Sequence, residues 1–447
     1  MRGWDRVADV LIVGTGYAGL SAAIEASDMG ADVLILDKRH TPGGNSIIAS
    51  GGVNAVDPER QKSQGIEDSL DLHFNHTYEG GNRLGEPEKI RFLVENAREM
   101  CLCWLENIGV EWPDKIIMGY GALWPRTHVA PRYSGAKNGA AVVRALLDQV
   151  KKRRISILLE HKVTGVIRKE PLKGKVLGLE VQHESRKLSF GAKRGVILAT
   201  GGFAADLEMV TSHDRRLANL PTTNHPDATG ECIRICEDVG ADVVHMDYIQ
   251  CVPKIVGPPS KANFFRISAK ETRIFDDWDA YAIFVDKSGT RFVREDARRD
   301  EITSAASSLA SFESVPVALA NTVGELEEKM RIAKDSLAKT IRNFNHHCEV
   351  GRDEDFGKDH RMLVPLRTPP FRADAMAMAR HHTMGGLKVL GTTCQVVDRW
   401  GHVIPCLYAA GEVTGGIHGA NRVGYNATAD CIIFGRTAGK SAAQNVN

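Results

Sequence analysis

The 447-residue sequence has no CxxC pair and no CxxCH haem-attachment motif, and its nine cysteines are scattered along the chain. This pattern excludes a covalently attached haem and argues against a zinc site, a cysteine-held iron–sulfur cluster and a disulfide framework. The pairs Cys101/Cys103 and Cys232/Cys236, and the run His346-His347-Cys348, have no second ligand cluster beside them. We therefore expect no metal site, and we expect a reduced, cytoplasmic chain.

The sequence also lacks an excess of charge, because 57 Lys and Arg residues balance 56 Asp and Glu residues. Such a balance excludes a charge-driven nucleic-acid binder and a polybasic membrane adherent. No export signal is visible, and the apolar run 10–24 is interrupted by glycines and is shorter than the roughly 18 residues that span a membrane. With 43% apolar residues, the chain can bury the large core of two or three domains without membrane insertion.

Glycine is abundant, with 43 residues that cluster at 14–19, 43–52, 201–202 and 411–424. Clusters at such distant points suggest one site assembled from separate segments. Several apolar runs end in or near these glycines, at 8–13, 195–202 and 403–412. Strands of a parallel sheet are continuous apolar runs because both of their faces are covered. The pattern predicts an α/β fold with a Rossmann-like dinucleotide-binding domain.

The character of the sequence changes between residues 253 and 363. KSGTRFV suggests a hairpin, EDARRDEITSAAS suggests a polar helix, and a long charged helical stretch follows. We predict a smaller α+β capping domain at 253–363, which is inserted into a discontinuous cofactor-binding domain made of 1–252 and 364–447.

The first glycine cluster is a GxGxxG motif, Gly14-Thr15-Gly16-Tyr17-Ala18-Gly19, between an apolar run and a helical pattern. Glycines at this spacing permit the tight turn and let a pyrophosphate approach the amides at a helix N-terminus. Asp37 follows the next apolar run, where its carboxylate can accept hydrogen bonds from a ribose. The motif predicts a dinucleotide site and leaves the choice between NAD and FAD open.

Five further motifs decide between these cofactors. They are TPGGNSIIASGGVNA (41–55), NHPDATGE (224–231), KSGTRFV…RRD (287–300), HHTMGG (381–386) and AAGEVTGGIHGANRVGYNA (409–427). With them the sequence resembles, over nearly its whole length, the FAD-dependent family of soluble fumarate reductases and succinate dehydrogenase flavoprotein subunits. The resemblance implies a non-covalent FAD, because the histidine that carries the covalent flavin link in membrane-bound relatives is Asn45 here. The discontinuous domain would then be the FAD-binding domain.

The resemblance also implies which residues bind the cofactor. The ADP half would be bound by Gly14, Gly16, Gly19 and Asp37, and the pyrophosphate would lie near Ala199, Thr200 and Gly201. The flavin would be lined by Gly44, Asn45, Ser46, Gly51, Gly52 and His382. The ribityl chain and ring would be surrounded by Glu412, Asn426 and Ala427. Ala18, Lys38 and Val163 are further cofactor-binding candidates. Small residues and main-chain donors suit this task, because they let a flat ring pack closely.

By the same resemblance, Arg299 is the catalytic arginine, and Arg422 and His381 bind the substrate carboxylate. Guanidinium groups present a rigid fork of donors to a carboxylate. The implied reaction is hydride transfer between flavin N5 and the C=C bond of an α,β-unsaturated carboxylate. With no haem motif and no residues to spare for another domain, an external electron donor or acceptor is implied.

Several positions depart from the family pattern. Val252 replaces a carboxylate-binding histidine of a QxHPT motif, and Tyr425 replaces a residue that is usually glycine. The family's proton-feeding Thr-Glu…Arg segment has no clean counterpart, so Glu271 and Arg273 are the candidates for a proton relay to Arg299. Other candidates for shaping a pocket for a different substrate are Lys254, Trp278 and Tyr281.

Two alternatives stay open. A flavin desaturase of a keto compound, like the ketosteroid dehydrogenases, would need a tyrosine base over the ring and would not need Arg299 together with Arg422. A non-catalytic flavoprotein that carries electrons would need neither arginine for turnover. Direct NAD-dependent dehydrogenation is disfavoured, because the sequence holds a single GxGxxG motif.

Overall fold

The computed structural model describes residues 3–273 and 281–445. Its strands are β1 (Arg6–Val13), β2 (Val33–Leu36), β3 (Val53–Asn54), β4 (Thr127–His128), β5 (Arg132–Tyr133), β6 (Ala136–Lys137), β7 (Ser156–Leu158), β8 (Lys162–Glu170), β9 (Lys173–His183), β10 (Arg186–Leu198), β11 (Val243–Val244), β12 (Ile249–Ile255), β13 (Lys261–Ala262), β14 (Phe264–Ser268), β15 (Ile283–Val285), β16 (Phe312–Glu313), β17 (Ala318–Ala320), β18 (Phe371–Thr383), β19 (Gly386–Leu387), β20 (Gln395–Val397) and β21 (Val403–Ala409).

The α-helices are α1 (Tyr17–Asp28), α2 (Gly44–Ile48), α3 (Pro58–Ser63), α4 (Leu70–Gly80), α5 (Pro87–Asn96), α6 (Trp104–Asn107), α7 (Asn138–Lys152), α8 (Leu207–His213), α9 (Glu231–Asp238), α10 (Arg299–Ser307), α11 (Val323–Met330), α12 (Ser336–Val350) and α13 (Asn426–Gln444). A π-helical segment spans Ala97–Cys103, and single 3-10 turns lie at Arg215–Leu217, Glu271–Arg273 and His360–Met362. Within the described ranges, the model contains no helix that is both long and apolar enough to cross a membrane.

The first large sheet has eight strands, of which six run in the order β20-β21-β10-β1-β2-β7, while β9 and β8 continue from β10. Strands β21, β10, β1, β2 and β7 are parallel to one another, and β20 is antiparallel to β21. The last four residues of β1 and all of β2 are buried, as expected for strands that are covered on both faces. This sheet confirms the predicted α/β fold with a Rossmann-like unit.

Helices α1 and α13 pack against each other beside this sheet. Two glycines of α13 allow the close approach: a Cβ at Gly435 would lie 2.5 Å from the Ala18 carbonyl oxygen, and a Cβ at Gly439 would lie 2.3 Å from that of Ala22. The approach brings the middle of α13 against the start of α1, beside the glycine motif.

The second sheet is antiparallel and has five strands, in the order β12-β18-β14-β15 with β17 beside β18. It uses residues on both sides of the predicted domain borders, because β12 begins at residue 249 and β18 spans 371–383. The division into an FAD-binding domain and a capping domain stays a prediction.

A network of buried charges supports the part of the chain that follows β15. Arg291 donates to both oxygens of Asp353, at 3.0 and 2.9 Å, and to both oxygens of Glu295, at 3.0 Å each. The Lys358 ammonium lies 3.3 Å from Glu295 and is fully buried. Buried charges of this kind are tolerated only when they are paired.

Candidate active site

A cavity of about 990 Å³ opens where β1 runs into α1. It is lined by Val13, Gly14, Thr15, Gly16, Tyr17, Ala18, Asp37, Lys38, Arg39, Gly44, Asn45, Ser46, His161, Lys162, Val163, Ala199, Thr200, Gly201, His225, Asp227, Ala228, Thr229, Gly230, Glu231, Cys232, Ala410, Glu412 and Cys431. These residues come from or adjoin the four predicted glycine-bearing segments, and the others lie at 37–39, 161–163, 225–232 and 431. The fold therefore brings distant segments of the chain together in one cavity, as the glycine clusters suggested.

The glycine loop fits a dinucleotide. A Cβ at Gly14 would lie 2.2 Å from the Ala199 carbonyl oxygen, so only glycine allows the loop to cross β10 this closely. Gly16 is the N-cap of α1 and provides no side-chain cap, which leaves the first amides of the helix for an anion. Gly44 and Gly201 line the cavity with positive φ, and a Cβ at either would meet no atom within 4 Å, so their missing side chains enlarge it.

Asp37 is fixed at the wall of this cavity. Its Oδ2 accepts hydrogen bonds from the Thr15 main-chain N–H, at 2.9 Å, and from the Thr15 hydroxyl, while Oδ1 accepts from the Arg39 N–H at 2.9 Å. Oδ1 keeps lone-pair capacity, because a carboxylate oxygen can accept more than one hydrogen bond. The geometry fits the predicted ribose contact.

Asn45 and Ser46 are also held in place. The Asn45 amide donates to Asn224 Oδ1 at 2.5 Å, and its oxygen accepts from the His225 N–H at 2.8 Å. The Ser46 hydroxyl accepts from the Tyr17 N–H at 3.0 Å. Short helix α2 is thereby fastened to α1 and to the 222–225 segment, beside the cavity.

The structure separates the predicted cofactor residues into two groups. Those that line the cavity are Gly14, Gly16, Ala18, Asp37, Lys38, Gly44, Asn45, Ser46, Val163, Ala199, Thr200, Gly201 and Glu412. Those outside its lining are Gly19, Gly51, Gly52, His382, Asn426 and Ala427. Gly19 serves the loop itself, since a Cβ there would lie 2.0 Å from the Gly14 carbonyl oxygen. The roles of both groups in binding a cofactor stay predictions.

Two buried arginines stand close to the cavity. Arg299, the first residue of α10, donates from Nη1 to Gln250 Oε1 at 2.9 Å and from Nη2 to the Tyr120 carbonyl at 3.1 Å. Arg422 donates from Nη1 to the Val423 carbonyl at 3.4 Å. The Nε of each arginine is buried and has no hydrogen-bond partner among the described residues. Two such cations side by side call for an anionic ligand.

The electrostatics of this cation cluster, which is Arg299 and Arg422 with the uncharged His381 beside them, follow from burial. Burial, reinforced by the charge of Arg299, lowers the pKa of Arg422 to about 9. Burial and both guanidinium charges hold the pKa of His381 well below its usual value, so its imidazole is neutral at pH 7. His381 Nδ1 lies 2.8 Å from the Thr223 hydroxyl, which orients the ring.

Glu412 links the cluster to the cavity. It lines the cavity, and its Oε1 lies 3.4 Å from Nδ1 of His382. The Thr383 main-chain N–H donates to the same oxygen at 3.0 Å. Burial raises the pKa of Glu412 to about 7, while burial and the charge of Arg422 hold the pKa of His382 well below its usual value. The two predicted subsites are therefore adjacent.

Gln250 is a site residue that the sequence analysis missed. Its amide donates to Asn421 Oδ1 and to the Arg422 carbonyl, each at 2.8 Å, while its oxygen accepts from Arg299. It thus joins the two arginines. The signal was its position two residues before Val252, in the segment compared with the QxHPT motif. Thr223 and Asn224, which contact His381 and Asn45, were given no role, although Asn224 is the first residue of the quoted motif 224–231 and Thr223 precedes it.

The other candidates are placed as follows. Glu271 Oε1 accepts from the Thr368 N–H at 2.8 Å, and Lys254 donates to the Thr222 carbonyl at 2.8 Å. Tyr281 is buried. Trp278 and the side chain of Arg273 lie outside the described residues. A proton relay through Glu271 and Arg273 stays a prediction.

Comparison with known proteins places the chain among flavoproteins. Residues 9–427 match the family model described as FAD binding domain. The NADH:fumarate oxidoreductase of Klebsiella pneumoniae (strain 342) is 35% identical over 98% of this chain, which spans about half (48%) of that relative. The open conformation of a flavocytochrome c3 fumarate reductase is 29% identical with a TM-score of 0.76, covering 99% of this chain and 79% of that one.

A ketosteroid dehydrogenase shares the fold with lower identity. The 3-ketosteroid-Δ4-(5α)-dehydrogenase from Rhodococcus jostii RHA1 is 25% identical with a TM-score of 0.74, over 99% of this chain and 98% of that one.

Proposed function

The chain belongs to the flavoprotein family of the FAD binding domain, and we propose that it is an enoate reductase that acts on an α,β-unsaturated carboxylate. The reaction takes R–CH=CH–COO⁻, two electrons and two protons to R–CH₂–CH₂–COO⁻. When bound, FAD supplies the hydride for this reaction. An external electron donor must supply the two electrons, and its identity is a further part of the proposal.

The observation that carries this proposal is the cation cluster. Arg299 and Arg422 are both more than nine-tenths buried, and each keeps an unpartnered Nε among the described residues. A ketone desaturase has no anion for such a pair to bind, and an electron carrier has no substrate. The buried pair therefore favours a carboxylate substrate over both alternatives.

The residues that would hold FAD are those of the cavity. The α1 N-terminus beginning at Gly16 would bind the pyrophosphate, and Asp37 would accept from the ribose. Residues 44–46 and Glu412 would adjoin the flavin end, because Asn45 is joined through Asn224 to the His381 carbonyl and Glu412 lies beside His382.

In this proposal, Arg422 and neutral His381 hold the carboxylate, and its charge is balanced by the guanidinium. Polarisation of the carboxylate leaves the β-carbon electron-poor, so hydride is accepted there. Arg299 delivers the proton to the α-carbon. Its contacts with Gln250 and the Tyr120 carbonyl fix the direction in which the guanidinium points.

The test is a pair of neighbouring arginine variants of the FAD-loaded protein, assayed anaerobically with reduced viologen and a panel of unsaturated acids. Arg299→Met removes the proposed proton donor, so turnover is expected to fall about 10²- to 10⁴-fold. Arg298→Met is the matched control, because Arg298 pairs with Asp300 and contacts Asn82 instead. Equal turnover by the two variants, with equal FAD content, would refute the assignment.

A cytoplasmic location is part of the same proposal. All nine cysteines are unpaired thiols in the structure, and unpaired thiols are typical of a reducing compartment.

A further inference from the structure

Tyr425 occupies an unusual position at the N-terminus of α13. Its φ is 67°, in the left-handed region that a bulky side chain rarely adopts. Residues held in such conformations persist only where the surroundings fix them, and they concentrate at functional sites. The family pattern has glycine at this position, so this chain carries a bulky side chain where that pattern has none.

Two glycines make room for the Tyr425 ring. A Cβ at Gly52 would lie 2.5 Å from Cδ1 of the ring, and a Cβ at Gly119 would lie 2.3 Å from Cε2. The contacts are with opposite sides of the ring, so the main chain at both glycines holds it in one position. Part of the tyrosine surface nonetheless stays accessible.

The same segment that holds the ring also touches the catalytic candidate Arg299. The Tyr120 carbonyl accepts from Arg299 Nη2, and a Cβ at Gly121 would lie 3.1 Å from Arg299 Nε. On the other side, the Gly424 N–H donates to the Gly121 carbonyl at 2.6 Å. Residues 119–121 therefore contact both Tyr425 and Arg299, and Tyr425 follows Arg422 by three positions in the chain.

The residues at the positions that could bind a second carboxylate disfavour a dicarboxylate substrate. Position 252 carries an apolar side chain that is only 9% exposed, and the ammonium of Lys254 is engaged by the Thr222 carbonyl. A carboxylate that is buried without a partner is strongly disfavoured, whereas an apolar or aromatic group is stabilised by an aromatic wall.

We propose that Tyr425 determines specificity, and that its ring contacts a planar aromatic substituent on the β-carbon of the substrate. The preferred acid is then an arylacrylate, a monocarboxylate, instead of a four-carbon dicarboxylate. This inference rests on the proposed function and names its substrate class. The two electrons and two protons are those of the reaction given above.

The experiment compares cinnamate, acrylate and fumarate as substrates of the FAD-loaded protein with reduced viologen as the electron donor. The unmodified protein is expected to show a kcat/KM for cinnamate at least tenfold above that for fumarate. In Tyr425→Gly, which is free to adopt the same φ, the ratio of kcat/KM for cinnamate to that for acrylate is expected to fall at least tenfold. Tyr425→Phe keeps the ring and should keep that ratio within threefold.

The outcomes separate this inference from the function on which it rests. Reduction of acrylate and fumarate with little or no reduction of cinnamate would overturn the inference and leave the enoate reductase intact. An unchanged cinnamate-to-acrylate ratio in Tyr425→Gly would also overturn it. If the FAD-loaded protein reduced none of the three acids, the proposed function would fall, and this inference with it.

Discussion

The glycine-lined cavity and the cation cluster are built on opposite principles. In the cavity, main-chain groups and glycines form the loop that would bind a dinucleotide, and Asp37 is already hydrogen-bonded to its neighbours. In the cluster, charged side chains are buried, and Arg299 and Arg422 each keep an unpartnered Nε among the described residues. The cavity is shaped before a ligand arrives, whereas the cluster is electrostatically incomplete without one. In the proposed function, the first region binds the cofactor and the second carries out the chemistry.

The largest expected effect concerns the cavity and comes from Gly14→Ala. The added Cβ would lie 2.2 Å from the Ala199 carbonyl oxygen, at a φ of 106°, so the loop must move away from β10. We expect the Kd for FAD to rise at least 100-fold, measured by flavin fluorescence titration of the apoprotein. Gly30→Ala is the matched control, because its φ is also positive, at 80°, but nothing lies within 4 Å. Equal loss of FAD affinity in both variants would show that backbone strain alone, and not the close contact between Gly14 and Ala199, explains the effect.

A smaller effect is expected in the cluster from Gln250→Met. The substitution removes the acceptor of Arg299 and the donor to Asn421 and Arg422, which loosens the arginines without removing them. We expect kcat to fall about tenfold, equivalent to about 1.4 kcal/mol, with FAD affinity unchanged. Gln250→Glu keeps the acceptor for Arg299 and should recover part of kcat. A loss of FAD affinity with kcat unchanged would contradict the separate roles of the two regions.

The cavity could be predicted from the sequence because its signals are local. The GxGxxG motif and Asp37 lie within one strand–helix–strand unit, where short-range spacing fixes their relation. The 41–55 and 409–427 motifs predicted further lining residues through the resemblance to a family. Lys162 and Glu231 line the cavity as well. Glu231 ends the quoted motif 224–231 but was given no role, and nothing in the local sequence marks Lys162 as a partner of the glycine loop.

The cluster could be predicted only in part. The resemblance pointed to Arg299, His381 and Arg422, and the structure brings all three together. Gln250 lies in the segment compared with the QxHPT motif, but its role was missed because it depends on contacts with Asn421 and Arg299, far away in the sequence. A β-bulge between Gln250 and Cys251 alters the register against β18, and such irregularities leave no clear trace in the sequence.

The account depends most on the claim that buried guanidinium groups hold an unsaturated acid beside a flavin, which supplies the electrons that reduce it. The direct measurement is anaerobic oxidation of reduced viologen by the FAD-loaded protein, with the product acid quantified in the same reaction. We predict a yellow protein that oxidises two viologen radicals for each C=C bond reduced. A protein that takes up no FAD, or that binds FAD and oxidises no viologen with any unsaturated carboxylate, would contradict the account.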